Sequence, residues 1–397
     1  MHNNLTADVT IVGAGLNGIT LACSLAQNGV SVIVLESGDL SLINNKESDG
    51  RTSALSSRSV EIFQEISAWD NMKNHAGAIL DIRVTDGNSP LFLHYDHSMV
   101  GDNPMGYIVE NFYIRSALFI LAEKSSNISI LDKSSYEKIE YFDSKAEITL
   151  SNKTKITSSL IIGADGRNSS IRKNAGIKAT EWPYHQSGIV FTVKHEKTHN
   201  GVAYERFLPA GPFAILPMAD SYHSSIVWTE KSHLAPLFMK MQDAEFLEQL
   251  YIRFGHHLGK LEVVSKRFAY PLELVYANKY TANRLALIGD AAHAMHPIAG
   301  QGFNLGLRDI PVLTKLISEA KKLGQDVGSE QILLQYEEQR KFDNVSLLAI
   351  TDLLTRLFSN DIMPIKTARR IGLAAVNKMP SLKKVFIKHA MGKTRYL

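Results

Sequence analysis

The chain has 397 residues, of which 45% are hydrophobic and 21% charged, and its net charge is +3. This composition is ordinary for a soluble globular protein, and the length predicts two or three domains that each bury a core. No apolar run approaches the roughly 20 residues that span a bilayer, and the polar residues 1–8 do not resemble a secretory signal. The single cysteine, Cys23, excludes an internal disulfide framework and a cysteine-based zinc site, so we expect a buried, inert thiol in a reducing, cytoplasmic setting.

The positive charge is concentrated at the C-terminal end. Residues 362–397 contain no acidic residue and nine basic ones, so the preceding residues carry a net charge of −6. Because apolar residues such as Leu382 and Phe386 are mixed with the basic ones, three interpretations stay open. The segment can lie on an anionic inner-membrane surface, pack on the protein with its basic face in solvent, or contact another protein. The absence of interleaved aromatic residues and of a known module argues against nucleic acid. The basic residues are Lys366, Arg369, Arg370, Lys378, Lys383, Lys384, Lys388, Lys393 and Arg395.

The first patterned segment predicts a β-α-β unit. Asp8–Val12 is a short apolar strand, and the loop GAGLNG leads from it into a helix that Asn28-Gly29 ends. Val30–Leu35 is the next strand, and Glu36 lies at its end.

The loop between strand and helix has the G-x-G-x-x-G pattern of dinucleotide-binding proteins. Gly13 permits the tight turn, and Gly18 lets helix and strand pack closely. Gly15, which follows Ala14, lets a pyrophosphate approach the backbone at the positive end of the helix. Glu36, 23 positions after Gly13, can accept hydrogen bonds from ribose hydroxyls. These features predict a dinucleotide ligand, and they do not by themselves distinguish NAD from FAD.

Two later segments repeat the strand-to-turn pattern. In IIGADGRNSSIR, Asp165 follows a strand at 160–162, where its carboxylate can bind ligand hydroxyls or cap the next helix. Arg172 can neutralise a phosphate or be a solvated helix charge. In LIGDAAHAMHPIAGQGFNLG, Asp290 follows the strand Leu285–Ile288.

The second of these segments favours FAD over NAD. It lies more than 270 residues after the first loop, so both can bind one ligand only if that ligand is long. Asp290 would bind hydroxyls of a sugar-like chain, and Pro297 would border a flat ring. The helix entered through Gly300, Gln301 and Gly302 would direct its positive end at the negative charge of a reduced flavin.

The remaining sequence predicts a second region inserted between parts of the first. Residues 79–110 carry strand and turn signals, and residues 187–273 contain strands with a single helix near Ala244–Phe254, which favours a mostly antiparallel sheet. A long helix is predicted from about Gly302 to Lys322, followed by helical sequence to the end.

His293 and His296 have a spacing compatible with a metal, but without a further ligand at a recognised spacing we predict local hydrogen bonds near the flavin and no metal site.

The order of these motifs, GAGLNG with Glu36, then GADGRNSSIR, then LIGDAAHAMHPIAGQGFNLGLRD, resembles the flavin-dependent aromatic hydroxylases. These are the group A monooxygenases of the p-hydroxybenzoate hydroxylase type. Within them the chain is similar to the UbiH-like branch of ubiquinone-biosynthesis hydroxylases, through RTSALSSRSVEIF at 51–63 and YEEQRKFDNVSLLAITDLLTRLF near the C-terminus. The resemblance covers nearly the whole chain.

The resemblance implies roles for particular residues. Gly13, Ala14, Gly15, Gly18 and Glu36 would hold the adenosine half of FAD. Asp165 would lie near the pyrophosphate and the NAD(P)H path. Asp290 would bind the ribityl chain, while Pro297, Gly300, Gln301 and Gly302 border the isoalloxazine. Arg51 and Arg115 match positions that contact FAD, although either can also be a surface arginine.

The resemblance also implies a fold and its boundaries. The fold class is α/β, with a Rossmann-like FAD-binding domain, an inserted, mostly antiparallel β substrate domain and a helical C-terminus. Residues 1–186 would form the first part of the FAD-binding domain, with part of the substrate-side sheet near 79–110. Residues 187–273 would form the substrate-binding β domain, 274–361 the second part of the FAD-binding domain, and 362–397 a basic amphipathic helical segment.

The implied reaction uses NAD(P)H as co-substrate to reduce FAD. O₂ then adds at flavin C4a, and the hydroperoxide passes oxygen to an electron-rich phenol, here a polyprenylated phenol of ubiquinone biosynthesis. We nominate no side chain as acid or base. Two alternatives remain: a soluble aromatic-ring hydroxylase acting on a small phenolic acid, and a non-catalytic flavin-binding assembly protein.

Overall fold

The computed structural model describes residues 4–43, 45, 49–87, 89, 92–295 and 301–358, and in the last segment residues 376–377, 379, 381, 383–384, 387 and 391–392. For residues 301 and 346–358 it describes the backbone alone.

The strands fall into three sheets, and the helices cover or connect them. The strands are β1 (Asn4–Val12), β2 (Val32–Leu35), β3 (Thr52–Ser56), β4 (Ala76–Ile79), β5 (Asp81–Asp86), β6 (Phe92–Asp96), β7 (Gly106–Glu110), β8 (Ile128–Leu131), β9 (Tyr136–Tyr141), β10 (Ala146–Leu150), β11 (Lys155–Gly163), β12 (Ala179–His195), β13 (Val202–Leu208), β14 (Gly211–Pro217), β15 (His223–Lys231), β16 (Leu261–Val263), β17 (Phe268–Ala277), β18 (Thr281–Ala282), β19 (Leu285–Leu287) and β20 (His293–Ala294). The helices are α1 (Leu16–Gln27), α2 (Leu40–Ile43), α3 (Ser57–Glu65), α4 (Asn111–Lys124), α5 (Ser170–Asn174), α6 (Ala235–Lys240), α7 (Asp243–Phe254), α8 (Gln301–Leu307), α9 (Asp309–Lys322) and α10 (Glu330–Phe358).

The first sheet is built on five parallel strands in the order β8-β2-β1-β11-β19. β2 is buried at every position, and Val9 and Ile11 of β1 are fully buried, as expected for a parallel sheet with both faces covered. The hairpin β9-β10 extends the half of β11 nearest its amino end, and β18 adds an antiparallel edge beside β19.

The helix α1 crosses from β1 to β2 and buries most of its length. It lacks a charged residue in its first and last turns, and it packs against α4 and α9. Cys23 is one of its buried residues, its thiol donates to the carbonyl of Leu118, and burial raises its pKa to about 12. The prediction of an inert, packed thiol is therefore confirmed.

The second sheet is mostly antiparallel, in the order β20-β17-β12-β15-β14-β13-β5-β6, with β16 beside β12. One face carries Phe191, Phe213 and Trp228, which pack with Phe246 and Phe254 of α7 into a separate apolar core. The strands predicted near 79–110 are present, and β5 and β6 belong to this sheet through the parallel pairing of β13 with β5. A third, small sheet, β3-β7-β4, is joined to the second by the hydrogen bond between Thr52 and Ser225.

The helix predicted from about Gly302 to Lys322 is wrong in one respect: the structure has two helices, α8 and α9, with a break at Arg308. Pro311 lies in the first turn of α9 and has no N–H for the carbonyl of Leu307, so one continuous helix would lack that bond. The break also places Asp309 at the first position of α9, where its side chain is fully buried.

The described residues of the C-terminal segment pack on the protein. Ile387 and Met391 are buried against Ile79 and Met105, and Val376 contacts the cluster around Leu93. For these residues the packed interpretation holds, while the greater part of 362–397 lies outside the described residues. Among the described helices, none is both long and apolar enough to cross a membrane.

Candidate functional site

The three motif segments meet at one edge of the parallel sheet. Val12, Gly163 and Leu287 are the last residues of β1, β11 and β19, and they are register partners across the sheet. The loops that follow these strands therefore start side by side, although the chain separates them by more than 100 residues each time. Ligands of open α/β sheets bind at this carboxyl edge.

In the first loop the three glycines have different roles. Gly13 has φ +109°, and a Cβ on it would lie 2.4 Å from the carbonyl oxygen of Ala164. A Cβ on Gly18 would lie 2.1 Å from the carbonyl oxygen of Gly13, so both residues are required by the packing of the loop itself. Gly15 caps α1 with φ −63°, and a Cβ on it would meet nothing within 4 Å. This open space next to the amino end of α1 fits the pyrophosphate of a dinucleotide.

Glu36 is tied to the same loop. Its carboxylate accepts the backbone N–H of Ala14 at 2.9 Å and that of Gly38 at 2.8 Å. Glu36 thereby lies where β2 ends beside the glycine loop, as the sequence predicts. Its contact with a ribose remains a prediction.

Asp165 caps the helix α5. It accepts the hydroxyl groups of Ser169 and Ser170 and the backbone N–H groups of Ser170 and Ile171. Of the two predicted roles, the cap is the one that the structure contains.

For Arg172 the predicted solvated helix charge is wrong, while its contact with a phosphate remains a prediction. It is buried, and its guanidinium donates to the carbonyls of Ala291 and Arg167 at 2.8 and 3.0 Å and lies 3.4 Å from Glu181. The residue lies in the last turn of a five-residue helix that faces the interior, so it clamps α5 to the third motif instead of facing solvent.

Asp290 lies in a single 3₁₀ turn, Gly289–Ala291, directly after β19 and Ile288, and its side chain is partly exposed. Gly289 has φ +56°, and a Cβ on it would lie 2.3 Å from the amide nitrogen of Asn17. Asn17, in the first turn of α1, also lies against Gly306 of α8. The first and third motifs are therefore in direct contact through this asparagine.

Arg51 and Arg115 share one buried partner, Asp49. Arg51 donates from Nε and Nη2 to the Asp49 carboxylate at 2.8 and 2.9 Å, and Arg115 donates from Nη2 at 3.1 Å. Burial raises the pKa of Asp49, but the hydrogen bonds from Arg51 and the charges of both arginines lower it by more, so the net shift is downward. Arg115 is buried and so is not a surface arginine; Arg51 is half exposed.

Arg51 also lies near Asp290 and the second sheet. Its guanidinium stands 4.9 Å from the ring centroid of Tyr270. Desolvation lowers the pKa of Arg51, but Asp49, with smaller contributions from Tyr270 and Asp290, raises it by more. Arg51 thus lies within electrostatic reach of Asp290.

The second sheet directs its other face toward these loops. Thr52 and Ser225 share a hydrogen bond of 2.8 Å, and Met295 and Leu305 pack against Leu274 and Tyr276 of β17. Asn304 of α8 accepts the N–H of Ser56 and donates to the carbonyl of Ala54, which fixes α8 to β3.

Four predicted site residues lie between positions 296 and 301. Pro297, Gly300 and His296 lie outside the described residues, and for Gln301 the backbone alone is described. Gly302 lies in the first turn of α8, and a Cβ on it would be no closer than 3.8 Å to Met295, so packing does not require a glycine there. Open space of this kind, at Gly302 as at Gly15, is consistent with a bound cofactor.

Four residues of the site were missed in the sequence: Asn17, Asp49, Asn304 and Asp309. Asn17, Asn304 and Asp309 lie inside the quoted motifs. The signal that could have identified them is a hydrogen-bonding amide or carboxylate among small residues. Asp49 stands in an irregular polar stretch, and nothing in its surroundings predicts that two arginines converge on it.

Parallel strands, a glycine loop at a helix amino end and an acidic residue after the second strand define a dinucleotide-binding α/β protein. Residues 6–345 match the family model described as FAD binding domain, so the chain belongs to this family and its cofactor is FAD.

The chain is 47% identical over 386 residues to the ubiquinone hydroxylase UbiL of Rhodospirillum rubrum, covering 97% of this chain and 90% of that protein. It is 34% identical to the human mitochondrial ubiquinone biosynthesis monooxygenase COQ6, covering 95% and 90%. The crystal structure of p-nitrophenol 4-monooxygenase PnpA from Pseudomonas putida superposes over all of both chains with a TM-score of 0.82 at 18% identity, which shows a common fold. The family resemblance predicted from the sequence is confirmed.

Proposed function

We propose that this protein is an FAD-dependent monooxygenase that uses NAD(P)H and O₂ to hydroxylate a polyprenylated phenol in ubiquinone biosynthesis. The observation that carries this proposal is the 47% identity to a ubiquinone hydroxylase over nearly the full length of both chains. The bound FAD would accept a hydride from NAD(P)H and activate O₂ for transfer to the phenol ring.

The chain's own residues would bind and orient the cofactor. The loop from Gly13 to Gly18 and the first turn of α1 would hold the pyrophosphate, with Glu36 at the adenosine ribose and Asp165 nearby. Asp290 would bind the ribityl hydroxyls, and Asp49 would keep Arg51 and Arg115 directed at the cofactor. The segment around Pro297, Gly300, Gln301 and Gly302 would border the isoalloxazine.

The second sheet would hold the substrate. Residues 187–273 would then be the substrate domain, between the two parts of the FAD-binding domain, 1–186 and 274–361, and ahead of the C-terminal segment 362–397. Its face toward the FAD loops carries Leu274, which packs with Met295 and Leu305 of the third motif. At β5, β6 and β13 the same face is covered by Val376, Ile387 and Met391 of the C-terminal segment. Such an apolar surface suits a prenyl chain.

The arginines of the same strands support this substrate over a small phenolic acid. Arg83 lies over the ring of Tyr204, and Arg206 donates to the carbonyl of Arg253, both on the opposite face of the sheet. A substrate carboxylate on the apolar face would therefore find neither of them. The basic segment 362–397 would contact the membrane surface, where a polyprenyl phenol resides, or another protein of the pathway.

Quinone profiling of a deletion strain tests this function. We expect ubiquinone to fall and an intermediate that lacks one ring hydroxyl to accumulate. The wild-type gene and an Asp70→Ala variant, which removes an exposed carboxylate that pairs with Lys73, should restore ubiquinone. Asp290→Ala should not restore it. Normal quinone levels in the deletion strain would contradict the proposal.

A further inference from the structure

A buried ion-pair network lies directly behind the turn that carries Asp290. Asp309 is completely buried, and its carboxylate accepts three hydrogen bonds. Its donors are the backbone N–H of Gly289 at 2.9 Å, Nε2 of His293 at 2.8 Å and Nε of Arg340 at 2.8 Å. Arg340 of α10, 31 residues after Asp309, is thereby joined to the third motif through one carboxylate.

Arg340 uses its other nitrogens to hold itself in place. Nη1 donates to Asp343 and Nη2 to Asn344, both at 2.6 Å, and Asp343 also pairs with Arg308 at 3.3 Å. The four charged groups, Asp309, Asp343, Arg308 and Arg340, balance to zero. The pairing of opposite charges with direct hydrogen bonds is what allows Asp309 and Arg340 to be buried.

The charge of Asp309 is maintained in this position. Burial raises its pKa, but His293 and Arg340 lower it by more, so the group stays ionised and acts as an acceptor for all three donors. An ionised carboxylate makes stronger hydrogen bonds to a backbone N–H than a neutral group does.

The backbone on both sides of Asp290 is fixed as a result. Asp309 holds the N–H of Gly289, Asn17 lies against the Cα of Gly289, and Arg172 binds the carbonyl of Ala291 at 2.8 Å. The Asp290 side chain is left partly exposed on a turn that cannot rotate freely.

We propose that Asp309 and Arg340 are positioning residues of the flavin site, which hold the Gly289–Ala291 turn so that Asp290 meets the ribityl hydroxyls of FAD. The proposal rests on the proposed role of Asp290. It assigns a function to α10, which contributes no residue to the quoted flavin motifs.

Two matched arginine variants test it. Arg340→Gln removes the charge that orients Asp309, so we expect the Kd of apoprotein for FAD to rise about 10- to 100-fold, the range known for partners that orient metal ligands. Arg284→Gln removes an equally buried arginine that pairs with Asp326 at the opposite, amino end of β19. We expect that variant to lose unfolding free energy while its Kd for FAD stays within about twofold of wild type. Flavin fluorescence quenching gives the Kd, and urea unfolding of the apoprotein gives the stability.

The outcomes separate this inference from the proposed function. If Arg340→Gln does not fold, Asp309→Asn, which keeps the shape of the side chain and removes its charge, takes its place, and Arg340→Lys should recover part of the affinity. A Kd unchanged in Arg340→Gln or Asp309→Asn, or equally raised in Arg284→Gln, would overturn the inference. The proposed function is tested separately, since it fails if the wild-type protein binds FAD and the deletion strain nevertheless has normal quinones.

Discussion

Gly13 and Gly15 are two residues apart, and the structure gives them different reasons to be glycine. At Gly13 the backbone has φ +109° and a neighbouring carbonyl occupies the place of a Cβ. At Gly15 the backbone conformation is open to any residue, and the space around a Cβ is empty. The first glycine is therefore needed by the fold, and we predict that the second is needed by the ligand.

A pair of alanine variants separates these reasons. Gly15→Ala should change the unfolding free energy of the apoprotein by less than about 0.5 kcal/mol, as for an unstrained surface change, while raising the Kd for FAD at least tenfold because the methyl group occupies the pyrophosphate path. Gly13→Ala should destabilise the apoprotein by about 1–3 kcal/mol or more, because alanine is strained at positive φ. Urea unfolding and flavin titration measure the two quantities. FAD binding by Gly15→Ala at wild-type strength would show that the pyrophosphate lies elsewhere.

At the scale of elements, β13 carries an unusual carboxyl group. Glu205 lies on the apolar face of the second sheet, with Ala214 and Val84 as its register partners and the buried residues Ala203 and Phe207 two positions away. Burial raises the pKa of Glu205 to about 7, above the value near 4.5 expected in the unfolded chain. Below about pH 4.5 both states hold the proton, and between about 4.5 and 7 only the folded state does. Stability therefore falls as the pH rises through this range and levels off above it.

Glu205→Gln should remove this dependence. At pH 8 the variant should be more stable than wild type by up to about 3 kcal/mol, the value that a shift of this size represents. Near pH 4.5 the two proteins should differ little. Urea unfolding at both pH values measures the effect, and Glu262→Gln, an exposed position on β16 of the same sheet, serves as the control. Equal stability of Glu205→Gln and wild type at pH 8 would show that desolvation does not raise the pKa of Glu205 in the folded protein.

The elements that the sequence predicts well are those whose pattern is local. The first two strands end at Val12 and Leu35 as predicted, because continuous apolar residues followed by turn or acidic residues are enough to define those ends. The break between α8 and α9 was not predicted, although Pro311 is a local signal for it. The roles of Asp49, Asp309 and Arg172 were not predicted because they depend on partners far away in the chain, such as Arg115, Arg340 and Ala291. Spacing within one segment carries no information about such contacts.

At the scale of the whole molecule, one edge of the parallel sheet brings together loops from three distant parts of the chain. A ligand long enough to touch all of them should order all of them at once, whereas a short ligand should order the first alone. Hydrogen exchange of the apoprotein with FAD or ADP measures this. FAD should slow amide exchange in 13–18, 164–167 and 289–293 together, while ADP should slow it chiefly in 13–18, where the adenosine half would bind. The hairpin β9-β10 joins the other end of β11 and should be unaffected by either ligand. Slower exchange with FAD in the first loop alone would show that Asp290 does not take part in binding the cofactor.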